Sequence, residues 1–297
     1  MRGPERGFLL LTSHLGNPDR KPLTTAQLRM LTDRMRHAPR KQEDRELAAS
    51  DLKELGLRGD LAQRALELLS EEKQLDYYLG KGIRHGCVPI TKLNLYYPRL
   101  LKERLGMDTP GVLWIKGNEG ILHTPCIALV GSRDLAEPNR EFAEAVGYAA
   151  AEQGLTLVSG NARGADKTAQ DACLRAGGRV ISIVADSLAS HREKRNVLYI
   201  SEDDFDSEFS AQRALSRNRC IHALGQMVFV AQSSLQTGGT WDGTVKNLRF
   251  GWSSVVCFRD GSEASRQLEQ MGAYLVGMED LKDLTALGDA QGNLFTR

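Results

Sequence analysis

The chain contains 297 residues, of which 41% are hydrophobic and 26% charged, and its formal net charge is +1. This length and composition are typical of an ordinary globular protein with two domains, one large and one small. They exclude a membrane-spanning chain, because no stretch approaches the roughly 18 apolar residues that a bilayer requires. The N-terminal apolar run is too short for a signal peptide, so we expect a cytoplasmic protein.

Cysteine and histidine are spread along the sequence without the spacing of a metal site. The five cysteines form no Cys-x-x-Cys pair, and the six histidines are equally dispersed. We therefore expect neither disulfides nor zinc, and the sequence predicts no other cofactor. The small net charge neither requires nor excludes nucleic acid, because DNA binding needs only a local basic surface.

The first third of the sequence has helical periodicity. The pattern extends over residues 24–91, and it includes a separate helix over residues 61–69 with Asp60 as its expected N-cap. We predict a small helical N-terminal domain over residues 1–95.

Strands and helices alternate in the second part of the chain. The strand Val112–Gly117 leads into this part, and further strands are predicted at residues 126–130, 156–158, 179–184, 227–231, 254–258 and 273–276. Such alternation predicts an α/β fold, a Rossmann-like parallel sheet with helices on both faces. We assign this domain to residues 96–283 and a flexible tail to residues 284–297.

Two loops that follow predicted strands combine glycine with arginine. Right-handed crossovers place such loops along one edge of the sheet, where their backbone N–H groups can bind an anion. The residues concerned are Gly131, Ser132, Arg133, Ser159, Gly160, Arg163 and Gly164. The sequence therefore predicts a phosphate-binding site, and the alternative is that both arginines are solvated loop residues.

Four motifs in this order resemble the DNA-processing protein A (DprA, also called Smf) family of bacteria. They are Val130-Gly131-Ser132-Arg133, the SGNARGAD segment from Ser159 to Asp166, Gly177-Gly178 before a strand, and Arg217-Asn218-Arg219. The resemblance spans most of the chain. It implies a protein that binds and protects single-stranded DNA, helps to load the strand-exchange recombinase during transformation, and forms a homodimer.

The resemblance also implies roles for individual residues. Arg133 and Arg163 would contact DNA phosphates, while the glycine turns would supply backbone donors. The same DNA-binding set would include Arg217, Asn218, Gly238, Gly239 and Thr240. A structural, ion-pairing role is expected for Asp166 and Arg219. Arg217 either extends the basic rim or pairs with a carboxylate such as Asp166.

Three features depart from the family pattern. The segment Thr237 to Thr244, which reads TGGTWDGT, replaces a Ser-Gly-Ser turn followed by Thr-Ala, and Arg259-Asp260-Gly261 replaces a Pro-Gly pair. We also expect no counterpart of the C-terminal winged-helix domain that many members contain. These departures indicate a divergent branch of the family.

Two other functions are compatible with the same pattern. The glycine-rich segment after residue 236 is similar to the phosphate loop of cytokinin-activating phosphoribohydrolases, but the catalytic glutamate position reads Val245-Lys246-Asn247. A glycosidic hydrolase needs a positioned acid or base, for which Asp242 and Asp166 are the possible substitutes. Alternatively, the loops could hold a nucleotide-derived or phosphorylated ligand in a sensor of a defence or stress system.

The tail contains a short motif of a different kind. Gln291, Leu294 and Phe295 match the Gln-x-x-Leu-Phe pattern by which bacterial DNA enzymes dock on the replication sliding clamp. A tail peptide can insert such apolar side chains into a groove of its partner. The alternative is that Leu294 and Phe295 fold back onto their own domain.

Overall fold

The computed structural model describes residues 3–37 and 49–287, and these form two compact units. The first unit comprises the described part of Met1–Tyr97 together with Pro110–Val112. The second comprises Pro98–Thr109 and the described part of Leu113–Arg297. Within the described ranges, every helix is too short or too polar to cross a bilayer.

The first unit consists of helices and a short strand. Its elements are α1 (Gly3–Thr12), α2 (Thr25–His37), α3 (Ala49–Glu54), α4 (Gly59–Leu69), α5 (Glu72–Arg84) and β1 (Cys87–Thr91). A cluster of buried aliphatic side chains forms a core, made of Leu23, Leu31, Leu52, Leu57, Ala62, Ala65 and Leu68. The prediction of a helical pattern up to residue 91 is wrong for β1, where Val88 and Ile90 are β-branched residues that favour a strand.

The expected N-cap of α4 is also wrong. The helix begins at Gly59, Arg58 occupies the N-cap position, and Asp60 lies in the first turn. A carboxylate in the first turn still interacts favourably with the helix dipole. Asp60 therefore marks the start of α4 without capping it.

A buried arginine stabilises the chain after α1. Arg20 is 7% exposed. Its Nε donates to Oε2 of Glu71 at 2.6 Å, and its Nη2 donates to the carbonyl of Leu10 at 2.6 Å. Its Nη1 donates to the carbonyl of Ser13. The guanidinium thus binds carbonyls that the end of a helix leaves unpaired.

A mostly parallel sheet forms the centre of the second unit. Its strands are β2 (Val112–Gly117), β3 (Cys126–Val130), β4 (Thr156–Ser159), β5 (Arg179–Ile183), β6 (Val197–Ser201), β7 (Met227–Val230), β8 (Ser254–Phe258) and β9 (Tyr274–Val276). Their order is β2-β6-β5-β4-β3-β7-β8-β9. β2 runs antiparallel to β6, and the other neighbouring pairs run parallel. The predicted α/β fold is confirmed.

The helices of this unit connect the strands. They are α6 (Arg99–Leu105), α7 (Glu137–Glu152), α8 (Ala165–Arg175), α9 (Ala211–Leu224), α10 (Gly238–Phe250) and α11 (Glu263–Gln270). α7 packs along α8, and α9 packs along α10. The strand order reverses between β3 and β7, because β4 and β5 extend to one side of β3 while β8 and β9 extend beyond β7. Open sheets of this kind bind ligands outside the carboxyl ends of the strands at such a reversal.

One central strand is absent from the sequence prediction. β6 (Val197–Ser201) pairs with β5 and with β2, and all of its residues are buried. Its apolar run is four residues long and is separated from the charged segment His191 to Arg195 by Asn196 alone. The sequence pattern does not predict this strand, because a short apolar run next to charged residues shows little periodicity.

Candidate functional site

Three loops meet at the carboxyl edge of the sheet, after β3, β4 and β7. Together with α9 and the start of α10, these loops line a pocket of about 380 Å³ that is open to solvent. Its lining includes the predicted residues Gly131, Ser132, Arg133, Asp166, Arg217, Asn218, Gly238, Gly239 and Thr240. The structure therefore brings residues from three of the four motifs to one place, and Gly177-Gly178 lies outside the pocket lining.

The loops after β3 and β4 are in direct contact through Gly164. This residue has a φ of 83°, and a side chain at this position would overlap the carbonyl oxygens of Ser132 and Arg133. The amide of Ala165 donates to the carbonyl of Ser132 at 3.1 Å. Only glycine fits this position without strain, so the β4 loop is held against the β3 loop.

The loop after β7 joins the same assembly. The amide of Ser132 donates to the carbonyl of Gln232 at 3.0 Å, and the amide of Ala136 donates to Oε1 of Gln232 at 2.9 Å. Ser132 therefore uses its N–H for the β7 loop and its C=O for the β4 loop.

Asp166 organises the β4 loop from within. It is 5% exposed, and its Oδ2 accepts from the amides of Gly160 at 3.0 Å and Ala162 at 3.2 Å. Burial raises the pKa of this carboxyl, while the charge of Arg217 and the two amides oppose the rise. Asp166 forms no ion pair with any residue in the described ranges, and its hydrogen-bond partners are backbone groups.

Arg217 lies beneath the same loop. It is 7% exposed; its Nη2 donates to the carbonyl of Gly160 at 2.9 Å, and its Nη1 donates to Oδ1 of Asn218 at 3.1 Å. Burial lowers the pKa of the guanidinium, and the nearby charge of Asp166 opposes that effect. Its Nε has no hydrogen-bond partner among the described residues. A buried positive charge with an unused donor thus lines the pocket.

Arg219 faces away from the pocket. Its Nη2 pairs with Oε2 of Glu202 at 2.7 Å, and its Nε donates to the carbonyl of Asp108 at 3.1 Å. Glu202 has a side chain that is only 6% exposed, so this is a largely buried ion pair. The geometry suits the structural role that the sequence suggests for Arg219.

Two exposed arginines lie on the loops at the sheet edge. Arg163 pairs with Oδ1 of Asp134 at 2.7 Å, and both side chains are mostly exposed. Arg133 lines the pocket, is exposed, and forms no hydrogen bond or ion pair with any described residue. Of the two, Arg133 is the cation that can bind a ligand without first losing a partner.

The start of α10 supplies a further positive end. Thr237 is the N-cap, the first turn contains no acidic residue, and Gly238 and Gly239 line the pocket. Unpaired amides and the helix dipole make such an N-terminus a site for anions. Nδ2 of Asn218 donates to the carbonyl of Gly239 at 3.1 Å, which fixes α9 against this turn.

Other predicted residues lie outside the pocket lining. Ser159 is fully buried, and its hydroxyl accepts from Nε2 of Gln170 at 2.6 Å, so it belongs to the interior. Gln291, Leu294 and Phe295 lie outside the described residues. Within the described ranges, no group of His, Cys, Asp and Glu side chains is arranged to hold a metal ion.

Sequence reasoning missed two parts of the pocket. One is an apolar wall on α9, formed by Ala211, Ala214 and Leu215, and the other is the buried His222. Their signal is positional: Leu215 and His222 flank the Arg217-Asn218-Arg219 motif on one helix. This motif alone does not show which neighbouring side chains face the sheet edge.

The sequence and the fold are similar to those of known proteins. Residues 89–283 match the family model described as DNA recombination-mediator protein A. DNA processing protein DprA of Streptococcus pneumoniae is 32% identical over 182 residues, which cover 57% of this chain and 64% of that protein. Protein Smf of Escherichia coli is 27% identical over 198 residues, which cover 63% of this chain and 52% of that protein. The chain thus spans between half and two thirds of these curated relatives.

Solved structures show the same fold. The X-ray structure of DprA from S. pneumoniae matches with a TM-score of 0.73 at 24% identity, covering 95% of this chain and 98% of that one. A DNA processing protein A from Helicobacter pylori, described for its single-stranded DNA binding mode, matches with a TM-score of 0.55 at 20% identity. That match covers 71% of this chain and 96% of the other.

Proposed function

The chain belongs to the DNA recombination-mediator protein A family, and we propose that it binds single-stranded DNA at the pocket where the β3, β4 and β7 loops meet. This activity would serve DNA processing and recombination, by protecting strands and aiding recombinase loading. The H. pylori relative, whose structure is described for its single-stranded DNA binding mode, supports the choice of ligand.

The exposed guanidinium of Arg133 is the observation that carries this proposal. It lies at a pocket that also contains the buried charge of Arg217 and the N-terminus of α10. The main opposing charge in the lining, Asp166, is engaged by two backbone amides. An anionic ligand would therefore meet fixed donors, and a phosphodiester chain supplies one anion per nucleotide.

The remainder of the pocket suits the apolar parts of a nucleotide. Ala211, Ala214 and Leu215 give α9 an apolar wall. Sugar and base atoms can contact such a wall while the phosphates remain on the basic rim. Contacts of this kind do not distinguish one base sequence from another.

Fluorescence anisotropy with a labelled oligothymidylate across a salt series tests the proposal. We expect tight binding that weakens steeply with salt, and Arg133→Ala should lower the slope of log affinity against log salt by about one. Arg249→Ala is the matched control, because Arg249 is an exposed arginine in the last turn of α10, at the opposite end from the pocket. Absence of binding at low salt would reject the proposal.

A nucleotide sensor is the second candidate, and the size of the pocket favours it. A volume of about 380 Å³ falls within the range of small-ligand sites. Mononucleotides that bind tightly while oligothymidylate does not bind would identify a sensor. Competition between the two ligands would place both at one site.

The structure gives less support to a phosphoribohydrolase. The segment Val245-Lys246-Asn247, where those enzymes carry their glutamate, contains no carboxylate. Its Asn247 donates to Oγ of Ser253 at 3.0 Å and accepts from the amide of Ser253 at 2.9 Å. Asp166 is committed to backbone amides, and Asp242 is exposed outside the pocket lining. A binding role therefore fits these residues better than acid or base catalysis.

The remaining partners are proposals from the sequence alone. We propose that the chain forms a homodimer, which light scattering of the purified chain would test. We also propose a contact with the strand-exchange recombinase and a cytoplasmic location.

Docking of the tail on the sliding clamp predicts that a labelled tail peptide binds the clamp. Leu294→Ala combined with Phe295→Ala should abolish this binding, and undiminished binding would reject the motif.

A further inference from the structure

His222 is a polar side chain in the lining of the pocket that the proposed DNA contacts leave unused. It lies on α9, is completely buried, and follows Asn218 by one turn of the helix. Its ring packs against α10, since a Cβ added at Gly243 would lie 3.0 Å from its Nε2. Because Gly243 has no side chain, α10 can lie close against this edge of the ring.

Neighbouring groups determine which ring nitrogen of neutral His222 carries the proton. The amide N–H of Ser253 can only donate, and it lies 2.9 Å from Oδ1 of Asn247, which defines the orientation of the Asn247 side chain. Nδ2 of Asn247 therefore faces Nδ1 of His222, at 3.2 Å, and donates to it. Because Nδ1 accepts, the neutral ring carries its proton on Nε2.

The Nε2–H group has no acceptor among the described residues. It is one of a few buried side-chain polar atoms without a partner there, together with Nε of Arg217. Buried donors are nearly always paired in native proteins, so an unpaired donor on a residue that lines a pocket is a candidate to bind a ligand. The Ser253 hydroxyl, which donates to the carbonyl of His222 at 2.8 Å, holds the histidine backbone in place.

We propose that the Nε2–H of His222 donates a hydrogen bond to an oxygen of the bound strand, and that His222 is thus a ligand-binding residue at the base of the pocket. The acceptor is either a phosphate oxygen or a base carbonyl, since both present the same lone pairs. The inference rests on the proposed function, because it requires a strand in the pocket. It adds a buried neutral donor to the charges and backbone amides that the proposed function uses.

Two substitutions separate the donor from the volume of the ring. His222→Leu removes the donor, whereas His222→Gln places an amide N–H near the position of Nε2. We expect His222→Leu to weaken oligothymidylate binding about tenfold and His222→Gln to restore most of that affinity. Gly243→Ala leaves the histidine unchanged and places a methyl group against Nε2, so we expect a similar loss.

Thr244→Val is the matched control. The Thr244 hydroxyl is also buried and unpartnered among the described residues, but it does not belong to the lining of the pocket. We expect this substitution to leave the affinity unchanged. Thermal unfolding of each variant reports whether the fold is retained.

A strand without bases identifies the acceptor. If His222→Leu weakens the binding of oligothymidylate and of an abasic oligomer equally, the acceptor is a phosphate oxygen. If only oligothymidylate is affected, the acceptor is a base carbonyl. Wild-type affinity in both His222→Leu and Gly243→Ala would overturn the inference, whereas failure of the wild type to bind either strand would reject the proposed function itself.

The unaltered protein offers a second readout in case His222→Leu fails to fold. The ring Nε2–H proton of His222 can be followed by NMR with and without oligothymidylate. We expect its resonance to shift downfield and its exchange with water to slow when the strand binds. An unchanged resonance at saturating oligothymidylate would overturn the inference.

Discussion

The guanidinium of Arg217 occupies the space next to Gly160 that a side chain would otherwise fill. Its Nη2 donates to the carbonyl of Gly160 at 2.9 Å, and a Cβ at Gly160 would overlap the guanidinium. The buried guanidinium of Arg217 can therefore take this position only because residue 160 is a glycine. One glycine therefore decides whether the positive charge stays beneath the β4 loop.

Gly160→Ala should displace Arg217 and destabilise the second unit. We expect the free energy of unfolding to fall by about 1–3 kcal/mol, as in other overpacked interiors, and oligothymidylate binding to weaken. Urea unfolding measures the first effect and anisotropy the second. Gly7→Ala in α1 is the control, because its Cβ would make only an ordinary contact with Leu69 at 3.6 Å. A stable Gly160→Ala variant with normal binding would contradict the prediction.

Asp134→Asn should strengthen DNA binding at low salt. Asp134 holds Arg163 in an exposed ion pair, and exposed pairs contribute about 0–1 kcal/mol to stability. Removal of the Asp134 carboxylate would free the Arg163 guanidinium next to the pocket and would eliminate a negative charge. We expect a severalfold higher affinity for oligothymidylate that salt suppresses, because exposed charges are screened.

Glu263→Gln serves as the control for Asp134→Asn. It removes one carboxylate from a comparably exposed pair, with Arg266 on α11, outside the pocket lining. Equal gains in affinity from both variants would attribute the effect to net charge and contradict a local role for Asp134.

His222 should make the protein less stable in acid. Burial lowers the pKa of His222 from 6.5 to about 3, so the folded state resists the proton that the unfolded chain accepts. The stability from this group is complete above pH 6.5 and declines as the pH falls towards 3, with a slope approaching about 1.4 kcal/mol per pH unit. The difference between wild type and His222→Gln in urea unfolding at several pH values isolates this slope. Parallel curves would contradict the assignment.

Arg20→Met should destabilise the first unit strongly. The substitution leaves the carbonyls of Leu10 and Ser13 and the carboxylate of Glu71 without their partner. Each buried acceptor that loses its partner costs about 1–3 kcal/mol, while the carboxylate of Glu71 adds little because its side chain is 38% exposed to water. Arg99→Met is the control, because its pair with Glu103 is exposed and should change stability by less than about 1 kcal/mol. Equal effects of the two substitutions on chemical unfolding would contradict this account.

The strand-and-turn pattern could be predicted from local sequence. β3 and β4 are apolar runs that end in glycine turns, so their loops and the convergence of those loops at one sheet edge follow from general rules of parallel sheets. The predicted elements agree less well with the structure where the apolar periodicity of the sequence is weak. β6 is short and follows a charged segment, and β1 is a brief strand behind a helix.

The contacts within the site depend on long-range packing and could not be predicted. Asp166 and Arg217 are 51 positions apart in the chain, and only the fold shows that each is bound to the backbone of Gly160 instead of to the other. The position of His222 depends on Asn247 and Ser253, which belong to the next helix and the turn after it. A motif identifies residue types, whereas hydrogen-bond partners across elements require the tertiary structure.

The two hydrogen bonds that Ser132 forms with Ala165 and Gln232 have a consequence for the speed and cost of recognition. They restrict three loops during folding, so little backbone entropy remains to be lost when a strand arrives. Binding to such a rigid site needs few rearrangements, and the association rate should then depend mainly on diffusion and electrostatic attraction. In the proposed complex the flexible partner would be the DNA, which would have to adapt its backbone to a surface that is already formed.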